Sequence, residues 1–533
     1  MQELNLKIER LDHLGIVAST IKDLGIIKMI DDRIGTSKQE IVTTGEAIAA
    51  MVLNGLGFTS EPLYLSPCFF EDKPLTNLFG KDNLNPNNFN ATKLSNSLDK
   101  IYEYGLEKLF FELAVESCSL EKIENKFQSL DTTSVSLTGE YDIDCDEHTI
   151  SVTHGFSKDK RPDLKQIVHE LLVSQDGGIP LMSKSWSGNA SDNKIFQERT
   201  KNLVEHFGKT NFLNYLVADS KLYSKENSEN LSKIKFITRI PNSITKVKNL
   251  IEETLDKKQW RTLNSKDKYF VKEINHYGIT QRWIVVYSLA ANSRAKKRVE
   301  KKILEEKLNI NKGLKLINKQ QIVNKIDITN AINNLIKNTK FHNIQYVVNK
   351  TNDEVKGEKN YTVTATFTLL EQAKLKYIEY NSCYVVGSNA EINELSSEEI
   401  VVKYKNQNKS IENMGFRFLK DPVFFASSLF VKMPKRIESL LFIMTLSLLV
   451  YSIAQRKLRN LLEKNNLTVP NQLHKPTKTP TLKWVFKLFK GINVVYISVN
   501  HIRQKIVDGI NNLQKSIIEL FGDSAKTIYG FQT

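Results

Sequence analysis

Phe127-Gln-Ser-Leu-Asp131-Thr-Thr-Ser-Val-Ser-Leu137 alternates in polarity and is rich in β-branched residues, which is the pattern of a sheet strand. It also carries one acid, Asp131, where a core strand has no structural need of it. Downstream, Thr149-Ile-Ser-Val-Thr153 reads as a second strand. Ile167 to Val173 and Ile179 to Trp186 flank Asp176-Gly-Gly178, a hairpin turn signal. A helix capped by Ser191 or Asp192 is predicted to run to about His206. Tyr215-Leu-Val-Ala-Asp219, a Ser- and Glu-rich helix start, and Lys235-Phe-Ile-Thr-Arg-Ile240 follow. The order β-β-β-α-β-α-β is that of a ribonuclease-H-like mixed sheet, an α/β fold. That order sets Asp131 in the first strand beside Asp219 at the end of the fourth.

An Asp that closes a strand is more often a turn former than a ligand. Two such acids on adjacent strands are another matter. Like charges at close range raise each other's pKa and cost stability unless a cation compensates. Carboxylate oxygens without His or Cys nearby suit Mg2+ or Mn2+ rather than zinc. A third acid, Glu412, stands on a predicted helix within Tyr404-Lys-Asn-Gln-Asn-Lys-Ser-Ile-Glu412-Asn-Met-Gly-Phe-Arg-Phe-Leu-Lys420-Asp-Pro.

Charge points to a polyanionic partner. The 533 residues carry 75 Lys and Arg against 60 Asp and Glu, for a net +15. From Val401 to Thr533 there are 21 basic and 7 acidic residues, a net +14 in a quarter of the length. Lys and Arg that neutralise phosphates release bound counterions, so nucleic acid is the natural partner. Cys68, Cys118, Cys145 and Cys383 are scattered without a C-x-x-C pair, which excludes a zinc ribbon and argues against a disulfide framework. The N-terminus lacks an apolar signal core, and a reducing, cytoplasmic compartment is expected. The longest uncharged run, Ser439 to Gln455, is short of the roughly 20 residues that a spanning helix needs. It reads as a buried core helix, and no membrane partner is expected.

The first hundred or so residues read as helical. Thr43-Thr-Gly-Glu46 has capping-box spacing before the apolar run Ala47 to Leu53, and Asn54-Gly55 with Gly57 are stop signals. Residues 81–92 are Asn-rich and read as a loop. One amphipathic helix is predicted from about Leu98 to Val115. Short helices of this kind are compatible with a helix-turn-helix DNA reader.

Several stretches together carry a family resemblance: Asp131-Thr-Thr-Ser-Val, His154-Gly-Phe-Ser-Lys-Asp-Lys-Arg-Pro-Asp-Leu-Lys-Gln166, Val217-Ala-Asp219, Phe416-Arg-Phe-Leu-Lys-Asp-Pro-Val-Phe-Phe425 and Lys475-Pro-Thr-Lys-Thr-Pro-Thr-Leu-Lys-Trp484. In these the chain resembles bacterial insertion-sequence transposases of the DDE type, from about residue 10 to about 495. The branch is the one with an insertion domain in its core and a Tyr-Arg-Glu-Lys signature. The resemblance implies that Asp131, Asp219 and Glu412 are the catalytic triad and hold two divalent ions, Mg2+ or Mn2+. It implies double-stranded DNA as substrate (terminal inverted repeats and target DNA) and a homodimer in the synaptic complex. It also implies end cleavage followed by transesterification into target DNA, a nucleoid-associated activity. Asp219 and Glu412 lie 193 positions apart, consistent with an insertion. Glu300 with Lys307 has the right interval for an alternative Glu, but sits in a uniformly charged helix face.

The signature departs from the family pattern. Tyr-x2-Arg-x3-Glu-x6-Lys here becomes Tyr404-x2-Gln407-x4-Glu412-x7-Lys420. Gln407 lacks the charge and the bidentate grip of Arg. An extra residue turns Lys420 by a further ~100° on an ideal helix, so a helix bulge, another phosphate, or Arg417 in its place is required. Tyr404, Gln407, Arg417 and Lys420 are thus the expected DNA contacts. Family members of this branch can stack a flipped base on an aromatic, for which Trp186, Trp260 and Trp283 are candidates. The expected organisation is a helical DNA-binding region at 1–118, catalytic core at 119–245 and 396–465, insertion at 246–395, and a basic helical C-terminal region at 466–533 for DNA contact or dimerisation. Two other readings are a ribonuclease-H-like nuclease and a catalytically silent, transposase-derived DNA-binding protein.

Overall fold

A computed structural model describes residues 4–58, 62, 65–139, 141, 149–207, 214–320, 322, 324–352, 359–421, 433–499 and 502–531. Cys145 and the 422–425 part of the motif lie outside the described residues. The chain is mixed α/β and divides into two compact units, Met1–Ile237 with Val402–Thr533, and Thr238–Val401. The stretch read as an insertion, 246–395, falls within the second.

The first unit begins with a strand, β1 (Leu4–Arg10), which corrects the all-helical reading of the N-terminus. Helices α1 (Leu14–Asp23), α2 (Ile26–Ile34) and α3 (Thr44–Leu56) follow. The Thr43 capping box forms: Glu46 N donates to Thr43 Oγ1 (3.1 Å) and Thr43 N to Glu46 Oε2 (2.8 Å). Helix α3 runs through Asn54-Gly55 and stops at Gly57. After α4 (Ser66–Phe70) and α5 (Leu75–Phe79), the Asn-rich loop holds a 3-10 turn, Pro86–Phe89. The helix predicted over 98–115 is two helices, α6 (Ala91–Tyr104) and α7 (Leu106–Leu120). They part at Gly105, whose φ of +103° suits glycine and few other residues.

Strand β2 (Phe127–Leu137) lies in the middle of the sheet of this unit. It pairs antiparallel with β3 (Lys165–Ser174), which pairs antiparallel with β4 (Pro180–Ser187). On its other side it runs parallel to β5 (Tyr215–Ala218). Helix α8 (Asp192–Phe207) precedes β5, and α9 (Ser228–Leu231) precedes β6 (Phe236–Ile240), giving the order β4-β3-β2-β5-β6. The strand predicted at 149–153 does not form. Both edges of β3 are taken along most of its length, which leaves only a single bridge from Thr153 to Gln166, beyond the end of β4.

In the second unit, α10 (Thr245–Lys257) precedes an antiparallel run in which β7 (Arg261–Thr262) pairs with β8 (Asp267–His276), and β8 with β9 (Ile279–Ser288). The charged stretch read from Ala290 is α11 (Leu289–Lys319), followed by α12 (Lys325–Lys337). A hairpin of β10 (His342–Asn352) and β11 (Lys359–Leu369) leads to α13 (Glu371–Asn381). Strand β12 (Cys383–Ser388) then pairs antiparallel with β9. Glu300, the alternative acid, faces Lys374 at 2.8 Å within this unit.

The chain returns through α14 (Ser397–Gln407), a π-helical stretch at Asn408–Phe416, and α15 (Arg417–Leu419). Helix α16 (Pro434–Lys464) contains the uncharged run. Among the described residues it alone is long and apolar enough to cross a membrane, but 78% of its apolar window is buried in the protein, as expected of a core helix. Its Leu446, Leu448 and Leu449 share one core with α1, α3, α6 and α7. The C-terminal region is not purely helical either. A short pair, β13 (Val469–Pro470) and β14 (Pro476–Thr477), precedes α17 (Leu482–Leu488). Strand β15 (Asn493–Val499) pairs with both β1 and β16 (Ile502–Asp508), before α18 (Asn512–Phe521) and α19 (Asp523–Ile528).

Candidate active site

The parallel ladder between β2 and β5 pairs Leu130 with Ala218, so the next step along both strands brings Asp131 alongside Asp219. Both acids belong to the first unit, as does Glu412. Asp131 Oδ1 accepts from Thr132 N (2.7 Å), and its side chain is 14% exposed. Burial pushes the Asp131 carboxyl up to about 8; Lys158 opposes that rise, and the charges of Asp219 and Glu412 add to it. Asp219 Oδ1 accepts from Lys221 N (2.8 Å), an Asx turn that opens the loop after β5. Burial raises Asp219 as well, with the Lys221 amide opposing and Asp192 adding.

Glu412 is exposed and stands on the π-helical stretch. Its charge is felt at Asp131, yet among the described residues no three His, Cys, Asp or Glu groups stand close enough to hold one metal ion. The structure therefore pairs Asp131 with Asp219 and sets Glu412 at their margin. Anchors fix that margin beside β2. Gln407 Nε2 donates to Leu130 O (3.4 Å), and Ser410 Oγ to Ser129 Oγ (3.3 Å). Gln175 Nε2 bridges Ser129 Oγ (3.1 Å) and Lys403 O (2.9 Å). The β3–β4 turn also meets this stretch. A Cβ on Gly178, whose φ is +66°, would lie 2.8 Å from Ser410 O.

The extra residues in the signature find their room here. A π turn closes on i→i+5 and takes in more chain per turn than an α-helix, so the insertion is absorbed in a widened segment. Of the three readings of the spacing, a helix bulge is the one with a counterpart in this stretch. Of the expected DNA contacts, Arg417 is exposed and Tyr404 half-buried. Lys420 forms an ion pair with Asp159. Gln407 is buried, and its amide faces the sheet. Trp283 is fully buried, which removes it as a stacking surface. Trp186 is engaged by Lys184 over its ring at 4.1 Å and donates to Glu170 Oε2 (2.8 Å). Trp260 meets Tyr287 edge-on at 6.0 Å.

Two residues by the acid pair were not singled out as acid-site groups from the sequence. Asp192, read only as a possible cap, opens α8, while Ser191 Oγ takes the capping bond from Lys194 N (3.4 Å). That frees the Asp192 carboxylate to accept from Thr132 Oγ1 (2.5 Å) and to face Lys158 Nζ (3.3 Å). Lys158 entered only as part of the His154–Gln166 stretch. The sequence signal was weak: an acid just after a good cap residue, and a Lys in a polar loop.

A family model described as a domain of unknown function (DUF4277) matches residues 6–115 and ends before β2. No curated protein matches the chain. Among solved structures, the piggyBac transposase synaptic complex with hairpin DNA aligns with 91% of this chain and 82% of that one, at 8% identity and a TM-score of 0.37. Those values are too low to fix fold or function.

Proposed function

We propose that the chain is a DNA transposase of the DDE type, with a ribonuclease-H-like core that cuts the ends of an insertion sequence and joins them to target DNA. The observation that carries this reading is the register of β2 and β5, which sets Asp131 and Asp219 side by side at one end of the parallel pair. A buried acid pair of this kind destabilises itself and gains from a cation. The donors are carboxylate oxygens, which fit Mg2+ or Mn2+; Asp131 and Asp219 would hold the ions, and Glu412, which is not clustered with them in this structure, would have to move in to join them. Bound there, two ions would supply Lewis-acid stabilisation of charge developing on a phosphodiester.

The chain's own residues do the rest. The Glu412 segment is tied through Gln407 and Ser410 to β2, the strand that bears Asp131. Arg417 and the excess of basic residues after Val401 bring phosphates to the site; the N-terminal helices read the terminal inverted repeats. In the first step water adds to phosphorus and the 3′-oxygen leaves. In the second, that 3′-hydroxyl replaces water and attacks a target phosphodiester, whose own 3′-oxygen leaves as the new ester forms, so no protein nucleophile is required. Two ends joined in concert call for a homodimer.

The test is an assay on DNA carrying the element's own ends, with Mg2+. Joined products are expected, and Asp219→Ala should abolish cleavage while retaining DNA binding. Cleavage without joining would indicate a nuclease. Binding with no cleavage by the unaltered chain would indicate a silent descendant.

A further inference from the structure

The loop before β3 carries a side chain whose position phosphate contact alone does not explain. Lys158 N donates to Ser134 Oγ (2.9 Å), which ties the loop backbone to β2. From that anchor the side chain reaches Thr132, where Nζ donates to the carbonyl oxygen and to Oγ1, both at 2.7 Å. Asp192 Oδ2 lies 3.3 Å from Nζ, and Asp131 Oδ1 lies 4.0 Å away. An ammonium has three donors and no acceptor. Thr132 O, Thr132 Oγ1 and Asp192 Oδ2 take up all three. The Thr132 hydroxyl, accepting from Lys158, donates in turn to Asp192 Oδ1. A lysine that serves only as a surface phosphate contact keeps its head in water. This side chain is 29% exposed, and its head is seated among the acids.

We infer that Lys158 is a tethered counter-ion of the acid site, occupying ground that a divalent cation must take, so that metal binds in competition with its ammonium. The inference rests on the proposed metal role of Asp131 and Asp219. With no metal, the ammonium offsets the repulsion among Asp131, Asp219 and Asp192. When a divalent ion enters, two positive charges cannot share the same few ångströms cheaply, and the ammonium has to withdraw. A substrate phosphate offers it an acceptor. Phosphate binding and metal binding then favour each other, and by linkage they do so reciprocally. Lys158 is thus a positioning residue that sets when metal is admitted.

Titration calorimetry of Mn2+ into the full chain tests this without recourse to activity. Lys158→Met is expected to bind Mn2+ about tenfold more tightly than the unaltered chain, or better, because a unit charge near 4 Å is removed. Lys158→Gln keeps an N–H for Thr132 while losing the charge; it should behave alike and serves if the Met variant does not fold. Lys158→Arg retains the charge and should stay within about threefold of the unaltered chain. A short DNA duplex should tighten Mn2+ binding by the unaltered chain and leave Lys158→Gln unchanged. Equal or weaker binding by both neutral variants, with Asp131→Asn still losing Mn2+, would overturn the counter-ion role and leave the acid pair standing. If Asp131→Asn binds Mn2+ like the unaltered chain, the acid pair itself is not the metal site, and both readings fall.

Discussion

Arg199 shows at residue scale how the first unit holds its acid-bearing sheet. Its guanidinium is 1% exposed and ion-pairs with Glu170, also 1% exposed, and with Glu107. Trp186 donates to the same Glu170 carboxylate. Glu170 sits opposite Thr132 on β2, one residue from Asp131, so this network fixes α7, α8 and β4 around the strand that bears the acid. Arg199→Met leaves a buried carboxylate unpaired and should cost roughly 3–5 kcal/mol, seen as a lower urea midpoint. His169 gives a pH signature. Burial pushes it down to about 4, and its ring nitrogens face Ser185 and Thr445 hydroxyls. Its folded pKa lies below the free value, so its contribution is complete above about pH 6.5 and is lost as pH falls towards 4. The loss is up to about 3 kcal/mol. Glu438, which shares the cavity with His169, is pushed up to about 7 by burial and acts in the opposite sense, losing stability as pH rises through that range. The quantity to measure is therefore the difference between the unaltered chain and His169→Gln. That difference should shrink as pH is lowered from 6.5 to 4; a constant difference would contradict the assignment.

At the scale of elements, the π-helical stretch is the feature on which the position of Glu412 depends. The turn at Gly178 touches its backbone. Gly178→Ala would force a Cβ against Ser410 O from a left-handed backbone, and a loss of roughly 1–3 kcal/mol is expected from urea unfolding. DNA cleavage should fall with it, since Glu412 is set by the same contact. Much of this layer was legible in the residues. Strand β2, the hairpin at Asp176-Gly-Gly178, β5 ending before Asp219 and the Thr43 capping box all follow from local pattern and turn chemistry. What escaped was decided by distant partners. Strand β1 takes its mate, β15, from almost the whole chain away. Residues 149–153 have strand composition but little free edge to join. The break at Gly105 sits inside a continuous amphipathic pattern, where a single backbone angle overrides periodicity. The roles of Asp192 and Lys158 depend on α8 and a loop folding back onto β2, which spacing along the chain does not encode.

For the whole molecule, the dominant sequence-wide quantity is charge. Many of the C-terminal cations are spent internally: Arg436 on Asp99, Arg456 on Asp176, Lys457 on Asp23 and Lys483 on Asp421. DNA affinity should nevertheless fall steeply with salt, with a log–log slope of several units, because the excess of Lys and Arg remains. A flat response in a filter-binding titration would contradict phosphate-led contact. The central claim is that Asp131 and Asp219 bind divalent metal. The most direct measurement is anomalous scattering from crystals soaked in Mn2+. A peak between the carboxylates of Asp131 and Asp219 is predicted; a fully soaked crystal with no peak there, or with Mn2+ only elsewhere, would contradict the account.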